Sequence, residues 1–133
     1  MDEDVTVMLG NVPYQVSVES RGHRWLADEP DTVGGGDTGP KPGELLLSSL
    51  GACTAITVKM YATRKKWPLE NITIVLRYNS TNKPTPTTTV IEREIDFTGN
   101  LDSAQKTRLL EIAEACPIHK LLSNPVIIIT KES

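Results

Sequence analysis

The residues of this chain best suited to chemistry are its two cysteines, Cys53 and Cys116. Cys53 lies in a long apolar run with helical spacing, and Cys116 precedes Pro117 at the end of a second helical pattern. If the two thiols meet in the folded chain, they form a dithiol that can be oxidised to a disulfide. If they do not meet, each is a small core residue, since free cysteine is among the most buried residue types.

A metal site is a further reading of the same residues, with Cys53, Cys116, His119 and His23 as zinc ligands. The Cys116–His119 spacing supplies only half of a typical ligand pattern, and the sequence has no second close pair. We therefore predict that the protein binds no metal.

The predicted surroundings of Cys53 leave its activation open. The residue stands about ten positions into its helix, beyond the first turn in which the helix dipole acts. Apolar surroundings raise the pKa of a thiol. A thiolate at Cys53 therefore requires a cation or a hydrogen-bond donor from elsewhere in the fold. The candidates are Arg21, Arg24, Lys41, Arg64 and His119, and spacing alone does not select among them.

Cys116 has a different predicted setting, at the C-terminal end of a helix. The negative end of the helix dipole disfavours a thiolate there. Pro117 cannot continue the helix, and it moves Cys116 out of helical conformation. Such a thiol suits the resolving role in disulfide formation better than the attacking role.

The length, charge and apolar runs of the chain argue against several classes of partner and location. A length of 133 residues favours a single domain over residues 1–133. The net charge of −3 argues against nucleic acid as a partner. The start Met1-Asp-Glu-Asp lacks the pattern of a signal peptide, and the longest apolar run is broken by polar residues, so no membrane span is expected. We predict a cytoplasmic location, where structural disulfides are rare.

The elements that must position the cysteines are readable from their periodicity. Residues 5–9 and 14–18 alternate around Gly10-Asn11 and predict a hairpin, and 23–27 predict a third strand. A long Gly- and Pro-rich loop follows over 28–43. Further strands are predicted over 71–78, 88–97 and 126–130.

Two helices complete this α+β pattern of antiparallel sheets. The second is capped by Asp102 and runs from Ser103 to about Ala115. The first runs from Glu44 to about Lys66 and is apolar around most of its circumference. A helix of that kind is buried on most sides, by surrounding sheet or by a second subunit.

The two cysteine segments together resemble one known family. GPKPGELLLSSLGACTAIT, from Gly39 to Thr57, resembles the first-cysteine helix of the OsmC/organic hydroperoxide resistance superfamily, and EACPIHK, from Glu114, resembles its second-cysteine segment. The order of elements also fits, so the resemblance covers nearly the whole chain. It implies an OsmC-like fold in an intertwined homodimer, with the sites at the subunit interface.

The resemblance also implies a function. The protein is expected to be a thiol peroxidase of the oxidative stress response that reduces organic hydroperoxides. Cys53 would attack the peroxide and become a sulfenic acid, and Cys116 would condense with it to a disulfide. An external dithiol would reduce the pair, and neither a metal nor an organic cofactor would be needed.

Two supporting residues follow from the same resemblance. The best-characterised peroxidase branch has a glutamate ten residues before the first cysteine, where this chain has Gly43, and Glu44 stands one position later. That branch also uses an upstream arginine to stabilise the thiolate. Arg24 is the first candidate for this role and Arg21 the second. The chain looks closer to the OsmC-like branch.

Two other functions compete with the peroxidase. A dimer of the same fold could bind a small ligand or sense oxidants without turnover. A structural dimer could carry both cysteines as inert packing. The reactivity of the two thiols distinguishes these three hypotheses.

Overall fold

The computed structural model describes residues 3–133, so Met1 and Asp2, which entered the signal-peptide argument, lie outside it. The chain divides into two compact units. One extends to Leu46, and the other runs from Leu47 to Ser133, with the boundary inside the first helix. The prediction of one domain over residues 1–133 stays a prediction.

The first unit is built on a three-stranded antiparallel sheet of β1 (Thr6–Leu9), β2 (Val16–Ser20) and β3 (His23–Ala27), in that order. The predicted hairpin and third strand are confirmed. The connection is longer than a two-residue turn, because Leu9 pairs with Val16 and residues 10–15 form the loop. The turn from β2 to β3 is tight, and its Arg21 and Gly22 both have positive φ, at 49° and 80°.

The loop after β3 is organised by a buried carboxylate. Asp28 is only 2% exposed, and it accepts hydrogen bonds from the backbone N–H of Glu29 and from both the N–H and the hydroxyl of Thr38. These bonds satisfy a group that would be costly to bury unpaired. They also hold the pKa of Asp28 below its ordinary value, with the Thr38 hydroxyl as the largest cause.

Helix α1 (Pro42–Lys65) spans the unit boundary and begins with a proline, whose fixed φ suits the first helical turn. Its buried residues include Leu50, Thr54, Val58 and Ala62, which repeat every four positions and form one stripe. The other side is exposed at Ile56 and Met60. By length and apolar composition alone α1 could cross a membrane, but this stripe makes it the core helix of the fold.

The second unit packs α1 against a long antiparallel hairpin of β4 (Leu69–Tyr78) and β5 (Ile91–Gly99). Helix α2 (Ser103–Ala113) begins with a complete capping box between Asp102 and Gln105. The core of this unit joins α1, both strands and α2, and its members are Val58, Ala62, Leu69, Phe97, Leu109 and Ala113. Helix α1 approaches β4 closely, since a Cβ added at Gly51 would lie 2.7 Å from Leu76 Cδ1.

Two predictions for the end of the chain are wrong. A third helix, α3 (Pro117–Leu122), follows Cys116, because a proline that cannot continue one helix is favoured at the first position of the next. Residues 126–130 form no strand in the described chain. Ile127, Ile128 and Ile129 are instead 84–87% exposed, because no neighbouring strand pairs with them in this single chain.

Candidate functional site

The second unit brings the two cysteines together. Cys53 lies within α1, and Cys116 immediately precedes α3. Both are free thiols, and each lies close enough to the other to shift its pKa. Cys116 is fully buried, whereas Cys53 is half-buried. A molecule entering from solvent therefore meets Cys53 first.

Cys116 is the N-cap of α3 and not the end of the preceding helix, because α2 stops at Ala113. Its sulfur accepts a hydrogen bond from the backbone N–H of His119, across 3.4 Å. The earlier expectation placed this thiol against carbonyl groups, which would disfavour a thiolate. A backbone donor at this distance has the opposite effect, because it stabilises negative charge on the sulfur.

The two thiols have different acidities as a result. Burial raises the pKa of Cys53, and the hydrogen bond to the Cys116 sulfur raises it further. Burial also acts to raise the pKa of Cys116, but hydrogen bonds from Cys53 and from the N–H of His119 outweigh it and lower that pKa. The thiolate charge of the pair is therefore favoured on Cys116, with Cys53 donating its proton toward it.

A largely buried cation lies beside this pair, at Arg93 on β5. Its side chain is 11% exposed. The guanidinium donates one hydrogen bond to the Thr54 hydroxyl at 2.9 Å and a second to Nδ1 of His119 at 3.0 Å. Thr54 in turn donates to the carbonyl of Leu50 at 2.7 Å. Arg93 thereby contacts the residue that follows Cys53 and the residue whose N–H holds Cys116.

Glu114 completes the cluster from the end of α2. Its carboxylate lies 2.9 Å from Nε2 of His119 and 3.6 Å from the Arg93 guanidinium. A guanidinium only donates, so Nδ1 of His119 accepts from Arg93, and the neutral ring carries its proton on Nε2. That proton is donated to Glu114. Both ring nitrogens of His119 are therefore engaged within the cluster.

Arg93 was not among the cations considered from the sequence, although a signal for it was present. It shares the apolar face of β5 with Ile91, Ile95 and Phe97. It also pairs with Leu76, which contacts α1. An arginine on the buried face of a strand requires partners, and such partners are often functional. Spacing along the chain does not indicate that Arg93 lies near the cysteines, because it is 39 positions away from Thr54.

The other predicted site residues, Glu44 and Arg24, belong to the first unit. Glu44 lies in the first turn of α1, and its Oε1 accepts a hydrogen bond from the backbone N–H of Lys41 at 2.8 Å, which is half of a capping box. Arg24 is exposed on β3, opposite Glu19. The roles of both residues toward Cys53 stay predictions.

Two cavities flank the cysteine segments. One, of about 350 Å³, is lined by Arg93, His119 and Glu114 together with apolar side chains of Leu50, Ile91 and Leu122. The other, of about 610 Å³, is lined by Thr57 and Met60 of α1 and by Ala115 and Pro117, the neighbours of Cys116. Within residues 3–133, no group of three His, Cys, Asp or Glu side chains is arranged to hold a metal ion.

Solved structures share this fold. An OsmC-like protein from Mycoplasma pneumoniae superposes with a TM-score of 0.76 at 20% identity, over 92% of this chain and 89% of that one. An organic hydroperoxide resistance protein OsmC from Legionella pneumophila gives 0.67 at 20%, over 92% and 89%. The organic hydroperoxide resistance protein OhrB of Bacillus subtilis gives 0.61 at 19%, over 91% and 90%. A search among curated proteins found no match.

The family model described as OsmC-like protein matches residues 34–131, which include both cysteines, the Arg93 cluster and every helix of the second unit. The α+β architecture of antiparallel sheets agrees with the same assignment. The chain therefore belongs to the OsmC-like protein family.

Proposed function

We propose that this protein is a thiol-dependent peroxidase that reduces organic hydroperoxides with Cys53 and Cys116. The observation that carries the proposal is the pair of neighbouring free thiols, one half-buried and one fully buried. Two structural relatives whose names concern organic hydroperoxide resistance support the substrate class. Neither a metal nor an organic cofactor is part of the proposed cycle.

The first step uses the unequal acidities of the thiols. Cys53 passes its proton to the Cys116 thiolate as its sulfur attacks the terminal oxygen of ROOH. The O–O bond breaks, Cys53 becomes a sulfenic acid, and the alkoxide takes a proton from solvent to leave as ROH.

The second step closes the disulfide. The sulfur of Cys116 attacks the sulfenic sulfur of Cys53, the S–O bond breaks, and the proton held by Cys116 leaves with the hydroxyl group as water. An external dithiol then returns two electrons and two protons by exchange, and is itself left as a disulfide. A reducing compartment suits this cycle, and the cytoplasmic location remains a prediction.

The assembly we propose is a homodimer. The described chain leaves the α1 face at Ile56 and Met60 exposed, at 56% and 62%, together with the isoleucine run at residues 127–129. Exposed apolar area of this extent is typical of a surface that another chain covers. The second copy would supply the strand partner that residues 126–130 lack in the single chain.

The test is turnover of tert-butyl and lipid hydroperoxides with a panel of dithiols. We expect wild-type turnover, loss of at least about 100-fold in Cys53→Ser, and a single sulfenic oxidation without turnover in Cys116→Ser. Turnover in Cys53→Ser at the wild-type rate would disprove the role of Cys53.

The raised pKa of Cys53 favours one alternative, a redox sensor. A thiol with a small thiolate fraction reacts slowly with peroxide. If the wild-type protein is oxidised stoichiometrically to the Cys53–Cys116 disulfide but no dithiol sustains turnover, the sensor function replaces the peroxidase.

A further inference from the structure

We propose that Arg93 is the positioning residue of the dithiol, joining the helix that carries Cys53 to the turn that carries Cys116. The inference rests on the proposed thiol function and concerns how the two sulfurs are held for disulfide formation. It is carried by the hydrogen bonds of one side chain, and it assigns Arg93 no contact with the peroxide.

The first contact of Arg93 fixes the position of α1. Its Nη1 donates to Thr54, whose own hydroxyl proton is committed to the carbonyl of Leu50 one turn earlier. The threonine oxygen is therefore oriented as an acceptor toward the strand. Because Thr54 is fully buried, the guanidinium reaches a rigid part of the helix, next in sequence to Cys53.

The second contact fixes the start of α3. Nη2 of Arg93 donates to Nδ1 of His119, and the backbone N–H of the same histidine donates to the Cys116 sulfur. Rotation of His119 away from Arg93 would move the donor that holds Cys116. Glu114 restrains the opposite edge of the ring through Nε2, so the imidazole is held from both sides.

Arginine is the residue that suits this geometry. One planar guanidinium carries donors in a fixed fork and can serve two acceptors on different elements, whereas a lysine ammonium is a single point of charge on a flexible stem. The environment also explains why the contacts persist. A cation that is 11% exposed strongly favours keeping its hydrogen bonds, because leaving them unmade carries a desolvation penalty.

A matched control exists on the same hairpin. Arg77 on β4 is also held by two partners, Glu92 and Glu94, but its side chain is 44% exposed and its partners are carboxylates of β5. Loss of Arg77 removes an equal charge and two ion pairs without touching Thr54 or His119. Any effect common to Arg77→Gln and Arg93→Gln is therefore one of charge or of sheet stability.

The experiment measures disulfide formation without any peroxide. The reduced protein is mixed with oxidised dithiothreitol, whose S–S bond breaks as it takes two electrons and two protons from the thiols, and closure of Cys53–Cys116 is followed by mass spectrometry. The equilibrium with reduced and oxidised dithiothreitol gives the midpoint potential of the Cys53–Cys116 dithiol/disulfide couple. We expect Arg93→Gln and Arg93→Lys each to slow closure at least about tenfold, as the loss of charge-assisted hydrogen bonds implies.

Thr54→Val provides a second route, because it nearly preserves shape and removes the acceptor of Arg93 on α1, together with the bonds of the Thr54 hydroxyl to Leu50 and Cys116. We expect it to slow closure and to be non-additive with Arg93→Lys, since both changes break one linkage. If Arg93→Gln fails to fold, Arg93→Lys and Thr54→Val test the proposal in its place. If Arg93→Lys and Thr54→Val both close the disulfide at the rate of Arg77→Gln, with an unchanged midpoint potential, the proposal is overturned.

The outcome is separable from that of the peroxidase. A wild-type protein that closes its disulfide with oxidised dithiothreitol but consumes no hydroperoxide contradicts the proposed function. The role of Arg93 is then still tested by the rate of disulfide closure in its variants. A normal peroxidase in which Arg93→Lys closes its disulfide at the control rate contradicts only the role of Arg93.

Discussion

His119 donates its backbone N–H to the sulfur of Cys116 and accepts a hydrogen bond from Arg93 on its ring. One residue therefore connects a buried thiol to a largely buried cation. The link is indirect, since the guanidinium acts through the histidine and not on the sulfur. It depends on α3 beginning at Pro117, because only the first turn of a helix has free N–H groups for the cap.

Removal of the Cys116 sulfur should make Cys53 more reactive toward alkylation. Burial is the largest cause of the raised pKa of Cys53. The sulfur of Cys116 adds two further effects, a hydrogen bond with Cys53 and its own negative charge. In Cys116→Ala both effects vanish, the pKa falls, and we expect iodoacetamide to modify Cys53 about threefold faster at neutral pH. Alkylation rates measured against pH should show the Cys53 profile displaced to lower pH. An unchanged or slower reaction in the variant would contradict the assignment.

Glu44 and Arg24 are distinguished by whether their loss affects stability or rate. The carboxylate of Glu44 caps α1 at Lys41, so we expect Glu44→Ala to cost about 0.5–1 kcal/mol in the free energy of unfolding. A catalytic role predicts in addition a fall in peroxide turnover of about tenfold or more. Arg24→Gln should lower turnover without changing the Tm, and Arg21→Gln serves as its comparison. Full turnover in Glu44→Ala and Arg24→Gln would remove both from the site.

The C-terminal isoleucines should decide the oligomeric state. In the described chain Ile127 and Ile129 are 87% and 84% exposed, and an acidic side chain at either position costs nothing in a monomer. If a second copy covers them, Ile127→Asp should weaken the dimer at least about 100-fold, because a carboxylate would be buried without a partner. Light scattering after gel filtration measures the change, with Val33→Asp as the control at another exposed apolar position. A monomeric wild-type protein would contradict the dimer.

The hydrogen bonds to Asp28 make part of the stability depend on pH. Because its pKa is lowered in the folded chain, the carboxylate stabilises the fold above the pKa of the unfolded chain, and this contribution is lost as pH falls through the lower, folded value. Thr38→Val removes the largest cause of that shift. We expect it to lower the Tm by about 4 °C near neutral pH and by less in acid, where Asp28 is protonated in both proteins.

Thermal unfolding followed by circular dichroism between acid and neutral pH measures this difference. Thr107→Val, at an exposed position of α2, is the control and should leave the pH profile unchanged. A Thr38→Val protein with the wild-type profile would show that Asp28 contributes nothing to the pH dependence.

Much of the fold was predictable because its signals are local. Alternating residues over 71–78 and 88–97 indicated the long hairpin, and Asp102 marked the start of α2, since a cap and a two-residue period act between near neighbours. The cysteine segments also indicated the family. The third helix was missed because Pro117 ends one helix and begins another, and local propensity does not say which.

The sequence by itself determined most of the elements, the family resemblance and the choice of Cys53 and Cys116 as the candidate reactive pair. Only the tertiary structure decided how the two thiols differ and which cation lies beside them. Arg93 reaches Thr54 across 39 positions of sequence and His119 across 26, and contacts of that range arise only when helix and hairpin pack. The acidity of a thiol depends on such neighbours and on burial, and neither is encoded in the spacing of the cysteines.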